Sequence, residues 1–338
     1  MPFINDILKY NSLSIVGLEK NTGKTECLKY VLDRLPVQTK RIAVTSIGID
    51  GETVDQVTRT QKPEIVLREG MYLGTSEMHY RQRRLVSELI DVSDESTSLG
   101  RVVTARALTG GKILLSGPSS GSSLKRWMGR MDQFGIDLVI IDGALSRLSS
   151  ASPTVSQSMI LATGAAYSAN ISTLVSKTAH VVDLVNLDLT TEANLRMLAP
   201  LEQGVWFIDS DGVLHDLDML SSLSQDIRFE GMENCATLYV AGALVDSFLE
   251  KVRQNKHLRQ AEIVVRDFTK IFVTPQQFKL FLKAGGRISV LQKSKLIAVT
   301  VNPTSPSGYV LDSDTLCGKL TEAIGLPVYD LLKSKTCN

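Results

Sequence analysis

Cysteine is scarce in this chain, and its cysteines lie far apart. The 338 residues include only Cys27, Cys235, Cys317 and Cys337, without a CxxC spacing or a neighbouring histidine cluster. Structural zinc sites usually require such a spacing, and disulfide frameworks are typical of short secreted domains. The pattern argues against structural zinc and predicts reduced thiols in a cytoplasmic protein.

An excess of basic residues and a long apolar run are also lacking. Lys and Arg number 37 and Asp and Glu 36, which gives a formal net charge of +1. Nucleic-acid-binding proteins usually concentrate a basic excess on one face, and a membrane-spanning helix needs roughly 18 apolar residues. The opening stretch MPFINDILKY carries Asp6 and no basic n-region, unlike a signal peptide. We therefore expect a soluble, cytoplasmic protein with no nucleic-acid or membrane partner.

Short apolar runs alternate with helical patterns along almost the whole chain. The runs are not strictly alternating, which is typical of parallel strands covered on both faces. Helices between successive strands indicate a doubly wound sheet. We therefore predict an α/β fold with a doubly wound, mostly parallel sheet. The predicted strands are 13–17, 41–47, 112–117, 137–142, 158–163, 204–209, 237–242, 262–267, 287–291 and 295–302.

One polar region weakens this alternation and suggests a domain boundary. Residues 210–237 form the longest stretch with weak strand signals. We place a boundary near residue 230, which predicts a nucleotide-binding domain over 1–230 and a smaller C-terminal α/β unit over 231–338. The run HYRQRRL, residues 79–85, is interpreted as the solvated face of a helix that could dock an acidic partner.

The stretch LSIVGLEKNTGKTECLKYVLDRL, residues 13–35, has the form of a phosphate-binding loop (P-loop, or Walker A motif). Five residues separate Gly17 from Gly23, one more than in the common loop, and Lys24 and Thr25 follow. In such loops backbone N–H groups converge on phosphate oxygens, Lys contacts the β- and γ-phosphates, and Ser or Thr holds Mg²⁺. A chance Gly-Lys-Thr at a strand–helix turn is the alternative. The loop residues predicted to bind the nucleotide are Lys20, Asn21, Thr22, Gly23, Lys24, Thr25 and Glu26.

A P-loop also needs an acidic residue at the end of a neighbouring strand to hold Mg²⁺. The run DLVIIDGALSR places Asp142 after four apolar residues and before Gly143. A plain strand-terminating turn is the alternative reading. Arg147, five residues after Asp142, could contact a phosphate or a partner subunit, or lie on the surface. We take Lys24 and Asp142 as catalytic candidates and Asp142 with Thr25 as metal ligands.

The loop GLEKNTGKT resembles that of dethiobiotin synthetase and its relatives, where five residues also separate the glycines. These belong to the P-loop NTPase branch that includes MinD-like ATPases and cobyrinic-acid amidases. Some of these loops carry a signature lysine five places before the catalytic lysine; here Lys20 lies four places before Lys24, so a solvated loop lysine is the alternative. The resemblance implies that Asp50, in TSIGIDGETVD, faces the γ-phosphate as a catalytic and metal-binding residue. A loop turn is the alternative for Asp50.

Two further loops follow predicted strands. Residues 116–127, SGPSSGSSLKRW, could receive a polar ligand, although Ser and Gly at a helix start also act as caps. Residues 300–309, TVNPTSPSGY, match loops that cradle the base in this superfamily, which implies nucleotide binding by Asn302. The Asn-Lys-x-Asp pattern that reads guanine is absent from the sequence. ATP with Mg²⁺ is therefore preferred over GTP.

Over most of its length the chain is most similar to the ATPase subunits of reactivases for adenosylcobalamin-dependent lysine 5,6-aminomutase. The motifs that carry this resemblance are the loop, TSIGIDGETVDQVTRTQKPEI, LLSGPSSGSSL, LVIIDGALSR and the words IVVRDFTKIFVTP, GGRISVL and IAVTVNPTSPSGY. The resemblance implies an ATP-driven chaperone that helps exchange damaged cobalamin in an aminomutase of lysine fermentation. It also implies a MutS-like second subunit as partner, and a homodimer is possible.

Two other functions remain open from the residues alone. An ATP-dependent small-molecule synthetase of the dethiobiotin-synthetase type would need a substrate pocket beside the γ-phosphate. Lys20 and the GPSSGSS run are its only candidate groups. A slowly hydrolysing nucleotide sensor that acts as a scaffold is the third reading.

Overall fold

The computed structural model describes residues 3–47, 64–144, 152–153, 155–223, 229 and 231–333. These residues form two compact units, the first made of Met1–Thr178 with Ser294–Asn338 and the second of Ala179–Lys293. Within the described residues, no helix combines the length and the apolar character that crossing a membrane requires.

The division into units differs from the predicted one. The predicted boundary at residue 230 lies inside the second unit, and the C-terminal segment belongs to the first unit. The physical reason is strand pairing: the late strand Lys295–Asn302 pairs in parallel with the early strand Ser158–Gly164 and so returns to the first sheet. The smaller α/β unit is therefore an insertion in the chain and does not form its C-terminal end.

The described strands have 2 to 11 residues and the described α-helices 4 to 15. The strands are β1 (Ser12–Gly17), β2 (Ile42–Ser46), β3 (Ile65–Leu67), β4 (Tyr72–Ser76), β5 (Ser87–Thr97), β6 (Gly100–Ala107), β7 (Gly111–Ile113), β8 (Leu138–Ala144), β9 (Ser158–Gly164), β10 (Val205–Asp209), β11 (Leu214–Met219), β12 (Cys235–Val240), β13 (Leu244–Val245), β14 (Glu262–Val265), β15 (Ile271–Phe272), β16 (Arg287–Val290), β17 (Lys295–Asn302) and β18 (Val328–Asp330). The α-helices are α1 (Ile4–Ile7), α2 (Lys24–Arg34), α3 (Glu77–Arg81), α4 (Gly121–Gln133), α5 (Ile171–Val185), α6 (Glu192–Leu198), α7 (Asp246–Gln254), α8 (Pro275–Lys283) and α9 (Ser313–Ile324).

The first unit contains a large, mostly parallel sheet. Among the described residues its nine strands run in the order β18-β17-β9-β1-β8-β2-β4-β6-β5. All pairs from β18 to β4 are parallel, whereas β4–β6 and β6–β5 are antiparallel. The α/β class and the mostly parallel sheet are thus as predicted. The centre of this sheet is buried on both faces, since every residue of β1 and β9 is buried.

Helix α2 is held against this sheet by one apolar stripe. Cys27, Leu28, Val31 and Leu32 lie at helical spacing and are at most 1% exposed, in one core cluster with Ile15 of β1. Burial of a Leu or Val side chain stabilises a fold by about 1.5–3 kcal/mol. The stripe therefore fixes the start of α2 firmly at the end of β1.

The second unit has a smaller mixed sheet of its own. Its strand order is β11-β10-β12-β14-β16. The pairs β12–β14 and β14–β16 are parallel, and the pairs of β10 with β11 and β12 are antiparallel. Four of the predicted strands, those near 204, 237, 262 and 287, are found in this sheet.

The region between residues 64 and 117 differs most from the prediction. The antiparallel pair β5–β6 was not predicted, because the polar run SELIDVSDEST of β5 lacks an apolar strand signal. The interpretation of residues 79–85 as the solvated face of a helix was wrong for the first residue, His79, which is buried. Helix α3 ends at Arg81, and His79 is only 1% exposed, with Nδ1 2.7 Å from Ser116 Oγ.

Gly74 in β4 offers a direct test of the packing between the sheet and α4. A Cβ atom at this residue would lie 2.5 Å from Cζ2 of the buried Trp127, whereas one at Gly129 in α4 would meet nothing within 4 Å. Gly74→Ala should therefore lower the free energy of unfolding by about 1–3 kcal/mol. The matched variant Gly129→Ala should raise it by about 0.5–1 kcal/mol, since Ala favours a helix interior.

Urea unfolding followed by circular dichroism measures both changes. A Gly74→Ala protein as stable as the wild type would contradict the described packing of Trp127.

Candidate functional site

The candidate residues converge where parallel strands of the large sheet end. Strand β8 lies directly beside β1, with Asp142 opposite Ile15, and β9 flanks β1 on the other side. The loop after Gly17 leaves β1 at this edge, and Leu18 N donates to Ala162 O of β9 at 2.9 Å. Such an edge is where ligands bind in open α/β sheets.

The loop from Gly17 to Lys24 contains two residues in the left-handed region of the backbone. Asn21 has a φ of +62° and Gly23 a φ of +90°. Asn tolerates the left-handed region better than most residues, and Gly adopts it without steric cost. Gly23 is also the N-cap of α2 and provides no side-chain cap. The first amides of α2, which have no partner inside the helix, are therefore directed to the loop side.

The extra loop residue is taken up by a turn that closes on itself. Thr22 is buried, and its Oγ1 donates to Glu19 O at 2.8 Å. The same hydroxyl lies 2.8 Å from the place where a Cβ of Gly17 would be. Any side chain at residue 17 would displace Thr22, so the close packing of the loop depends on this glycine.

Lys24 and Asp142 form the electrostatic centre of the site. Lys24 Nζ lies 2.9 Å from Asp142 Oδ1, and the side chains are 26% and 21% exposed. Oδ1 is buried as an atom and has no hydrogen-bond partner among the described residues, because the ammonium approaches outside hydrogen-bonding geometry. The Lys24 ammonium is therefore the charge partner of this oxygen. A divalent cation that binds there would replace one positive partner with another.

The donors at this site fit a magnesium ion that shares its ligands with a substrate. Thr25, half-buried, follows Lys24 at the start of α2. Within the described ranges, no three His, Cys, Asp or Glu side chains lie close enough together to hold a metal ion. Magnesium prefers oxygen ligands and is commonly held by one or two protein groups together with phosphate oxygens and water. Thr25 and Asp142 carry oxygen donors of this kind.

The remaining predicted residues occupy different positions. Lys20 is exposed on the loop, where its backbone N donates to Glu19 Oε1 at 2.9 Å. Glu26 Oε1 lies 2.9 Å from Lys29 Nζ on the surface of α2, so its carboxylate is engaged in a helical ion pair. Asp50 belongs to residues 48–63 and Arg147 to 145–151, and both lie outside the described residues.

Asn302 lies beside the loop at the end of β17. Its Nδ2 donates to Asn21 O at 3.0 Å, and its Cβ lies 2.9 Å from where a Cβ of Gly23 would be. The polar loop 116–127, by contrast, is explained by capping: Ser120 is the N-cap of α4 and accepts from Ser123 N at 3.1 Å.

Sequence reasoning missed two residues near the site. Gly164 ends β9 opposite Asn302, and a Cβ there would lie 2.1 Å from Asn302 O. Cys27 lies fully buried in the first turn of α2, and burial raises the pKa of its thiol to about 12, against a smaller lowering by a hydrogen bond with Thr300. The strand-terminal glycine was a usable signal for Gly164, whereas nothing in the sequence marks Cys27.

Taken together, the arrangement places the start of α2, which has no side-chain cap, and the Lys24 ammonium beside the Asp142 carboxylate. Helix starts and concave rows of backbone amides are common binding sites for anions. Comparison of the chain with protein-family models, with curated proteins and with solved structures finds no match in any of the three.

Proposed function

We propose that this protein is a P-loop ATPase that binds Mg-ATP at the loop 17–25. The observation that carries the proposal is the ion pair between Lys24, at the start of the uncapped helix α2 that follows β1, and Asp142 of the neighbouring parallel strand β8. In a P-loop the lysine contacts the phosphates and the acid holds the metal. This pairing supports the assignment of the phosphates to Lys24 and of the metal to Asp142.

Each residue of the site has a separate task in this proposal. The loop amides and Lys24 bind the β- and γ-phosphates, and Lys24 also stabilises the charge that develops during transfer. Thr25 and Asp142 hold Mg²⁺, which neutralises phosphate charge and orients the oxygens. Asp50 completes the metal and water-positioning set, as the resemblance implies. ATP is the proposed nucleotide because the guanine-reading motif is absent from the sequence.

The ion pair gives the site a definite ligand preference. Lys24 is neutralised by Asp142 in the structure, so a metal-free polyphosphate must compete with this carboxylate for the ammonium group. A divalent cation relieves the competition, because it supplies Asp142 with a new positive partner. Phosphate and metal are therefore expected to bind cooperatively.

The work done by the nucleotide is proposed from the family resemblance. We infer a reactivase subunit that acts with a MutS-like partner to exchange damaged cobalamin in an aminomutase. A loop can be ordered by the γ-phosphate and the metal and released by hydrolysis. Such a two-state loop is a general way to change the conformation of a partner protein.

No described feature favours the synthetase alternative, which needs a substrate pocket beside the γ-phosphate. A cavity of about 230 Å³ is lined by Tyr10, Asn11 and Asp137. It lies at the N-terminal ends of β1 and β8, whereas the candidate site lies at their C-terminal ends.

Lys24→Ala should abolish ATP hydrolysis and weaken Mg-ATP binding at least 10-fold, because a charge-assisted contact to the phosphates is lost. Lys29→Ala is the matched control, since Lys29 lies on the same helix and pairs with Glu26. Calorimetry and a phosphate-release assay measure the two effects. Unchanged affinity and turnover in Lys24→Ala would remove the central proposal.

Asp142→Asn should change metal-dependent binding and metal-free ATP binding in opposite directions. Loss of the carboxylate should weaken the Mg²⁺ dependence of binding and hydrolysis at least 10-fold. It should also strengthen metal-free ATP binding several-fold, because an ion pair at a partly exposed site opposes it by about 1 kcal/mol. Asp137→Asn, at the other end of β8, is the control. If metal-free binding weakens as much as metal-dependent binding, Asp142 is only a structural turn.

Reactivation of an aminomutase tests the biological role. A lysine aminomutase inactivated by turnover should regain activity when ATP, Mg²⁺, fresh adenosylcobalamin, this protein and its MutS-like companion are added. The gain should be lost with Lys24→Ala, since coupling requires a nucleotide that favours one partner state. Stimulation of ATP turnover by a small carboxylate substrate, without reactivation, would support a synthetase instead.

A further inference from the structure

Asn302 reaches the glycine loop from two strands away. In the order β17-β9-β1 its backbone pairs with Gly164, and its side-chain Nδ2 donates to Asn21 O at 3.0 Å. Its Oδ1 accepts from Thr304 N at 3.2 Å. Both polar groups of the side-chain amide therefore have backbone partners inside the protein.

Two glycines make this contact possible. A Cβ at Gly164 would lie 2.1 Å from Asn302 O, and a Cβ at Gly23 would lie 2.9 Å from Asn302 Cβ. Neither distance is compatible with a larger residue, since real Cβ contacts are longer. Main chain from β9 and from the loop thus closes on Asn302 from two sides, which positions its amide with little freedom.

The bond to Asn21 O sets the direction of a loop amide. The carbonyl of Asn21 and the N–H of Thr22 belong to one peptide plane and point in opposite directions when that peptide is trans. No described peptide bond is cis. Holding the carbonyl on Asn302 therefore turns the Thr22 N–H away from Asn302.

The backbone around this peptide is of the kind that gathers anions. Left-handed residues at Asn21 and Gly23 alternate with Thr22, and such alternation brings successive N–H groups into a concave nest. Asn and Gly also occupy other backbone regions readily. The local sequence alone therefore leaves the nest under-determined, and a loop with one extra residue has more conformations to lose on ordering.

We propose that Asn302 is a positioning residue that holds the lengthened loop in its phosphate-binding conformation and does not read the base. The proposal rests on the proposed nucleotide function, and it assigns Asn302 a role that the family resemblance did not imply. Its amide is already bonded to backbone at both ends, which leaves its oxygen engaged and only one N–H without an assigned partner.

The two roles predict different ligand dependence. A residue that acts through the loop affects every ligand with a polyphosphate group by the same factor. A residue that contacts adenine affects ATP and leaves inorganic tripolyphosphate untouched. Tripolyphosphate is therefore the probe that separates positioning from base recognition.

The experiment compares the dissociation constants of Mg-ATP and Mg-tripolyphosphate by titration calorimetry. Asn302→Ala should weaken both by the same factor, about 3- to 10-fold, the range that one net hydrogen bond supplies. Asn302→Asp, which keeps the size but offers Asn21 O no donor, should weaken both at least as much. The exposed Thr304→Ala is the control and should leave both constants unchanged, since Thr304 contributes only its backbone N–H.

The possible results separate the two proposals. Melting curves establish that each variant is folded at the temperature of the titration. A loss confined to Mg-ATP, or unchanged constants in both Asn302 variants, would overturn the positioning role while leaving the ATPase proposal intact. A wild-type protein that binds neither ligand would instead overturn the nucleotide function itself.

Discussion

The parallel pairing of β1 with β8 is the constraint on which the candidate site depends. Because Ile15 and Asp142 are opposite each other, the loop that leaves β1 begins at the same edge as the end of β8. The buried stripe of α2 then fixes the first turn of this helix, and Lys24 is placed 2.9 Å from Asp142. A shift of β8 by one residue would turn Asp142 to the other face of the sheet.

The same edge extends across β9 to β17, and this gives the C-terminal segment its place. Strand β17 pairs with β9 from Lys295 to Asn302, although more than a hundred residues separate the two strands along the chain. The chain leaves the large sheet for the second unit and returns to complete it. The loop therefore receives support from a segment that a linear reading assigns to another domain.

Neutral polar contacts around the loop complement the central ion pair. Thr22 closes the turn on Glu19 O, and Asn302 holds Asn21 O from outside. Each bond contributes only about 1 kcal/mol to stability, but both bear on the direction of peptide groups that carry N–H donors. Backbone amides aimed in advance bind an anion with a smaller ordering cost than a loop that must first find its shape.

Local patterns in the sequence were sufficient for the elements that make the core of the site. The apolar runs predicted β1, β8 and β9, because strands that are buried on both faces consist mostly of apolar residues. The alternation of these runs with helices predicted the α/β class. The residues Gly17, Gly23, Lys24 and Asp142 were identified from spacing alone. The polar strand β5 could not be predicted because it lacks an apolar signal and is stabilised by pairing with β6. The burial of His79 could not be predicted because its partner Ser116 lies 37 residues away in the chain.

The sequence by itself therefore determined which residue types the site contains and which strand ends carry them. Only the tertiary structure decided which strands are neighbours, that the chain's last strands rejoin the first unit, and that the Asn302 amide is directed at the loop backbone. These features depend on pairing between segments far apart in the chain, and many pairings bury the same apolar residues equally well. The choice among them follows from the packing of the whole sheet, which no local window of the sequence contains.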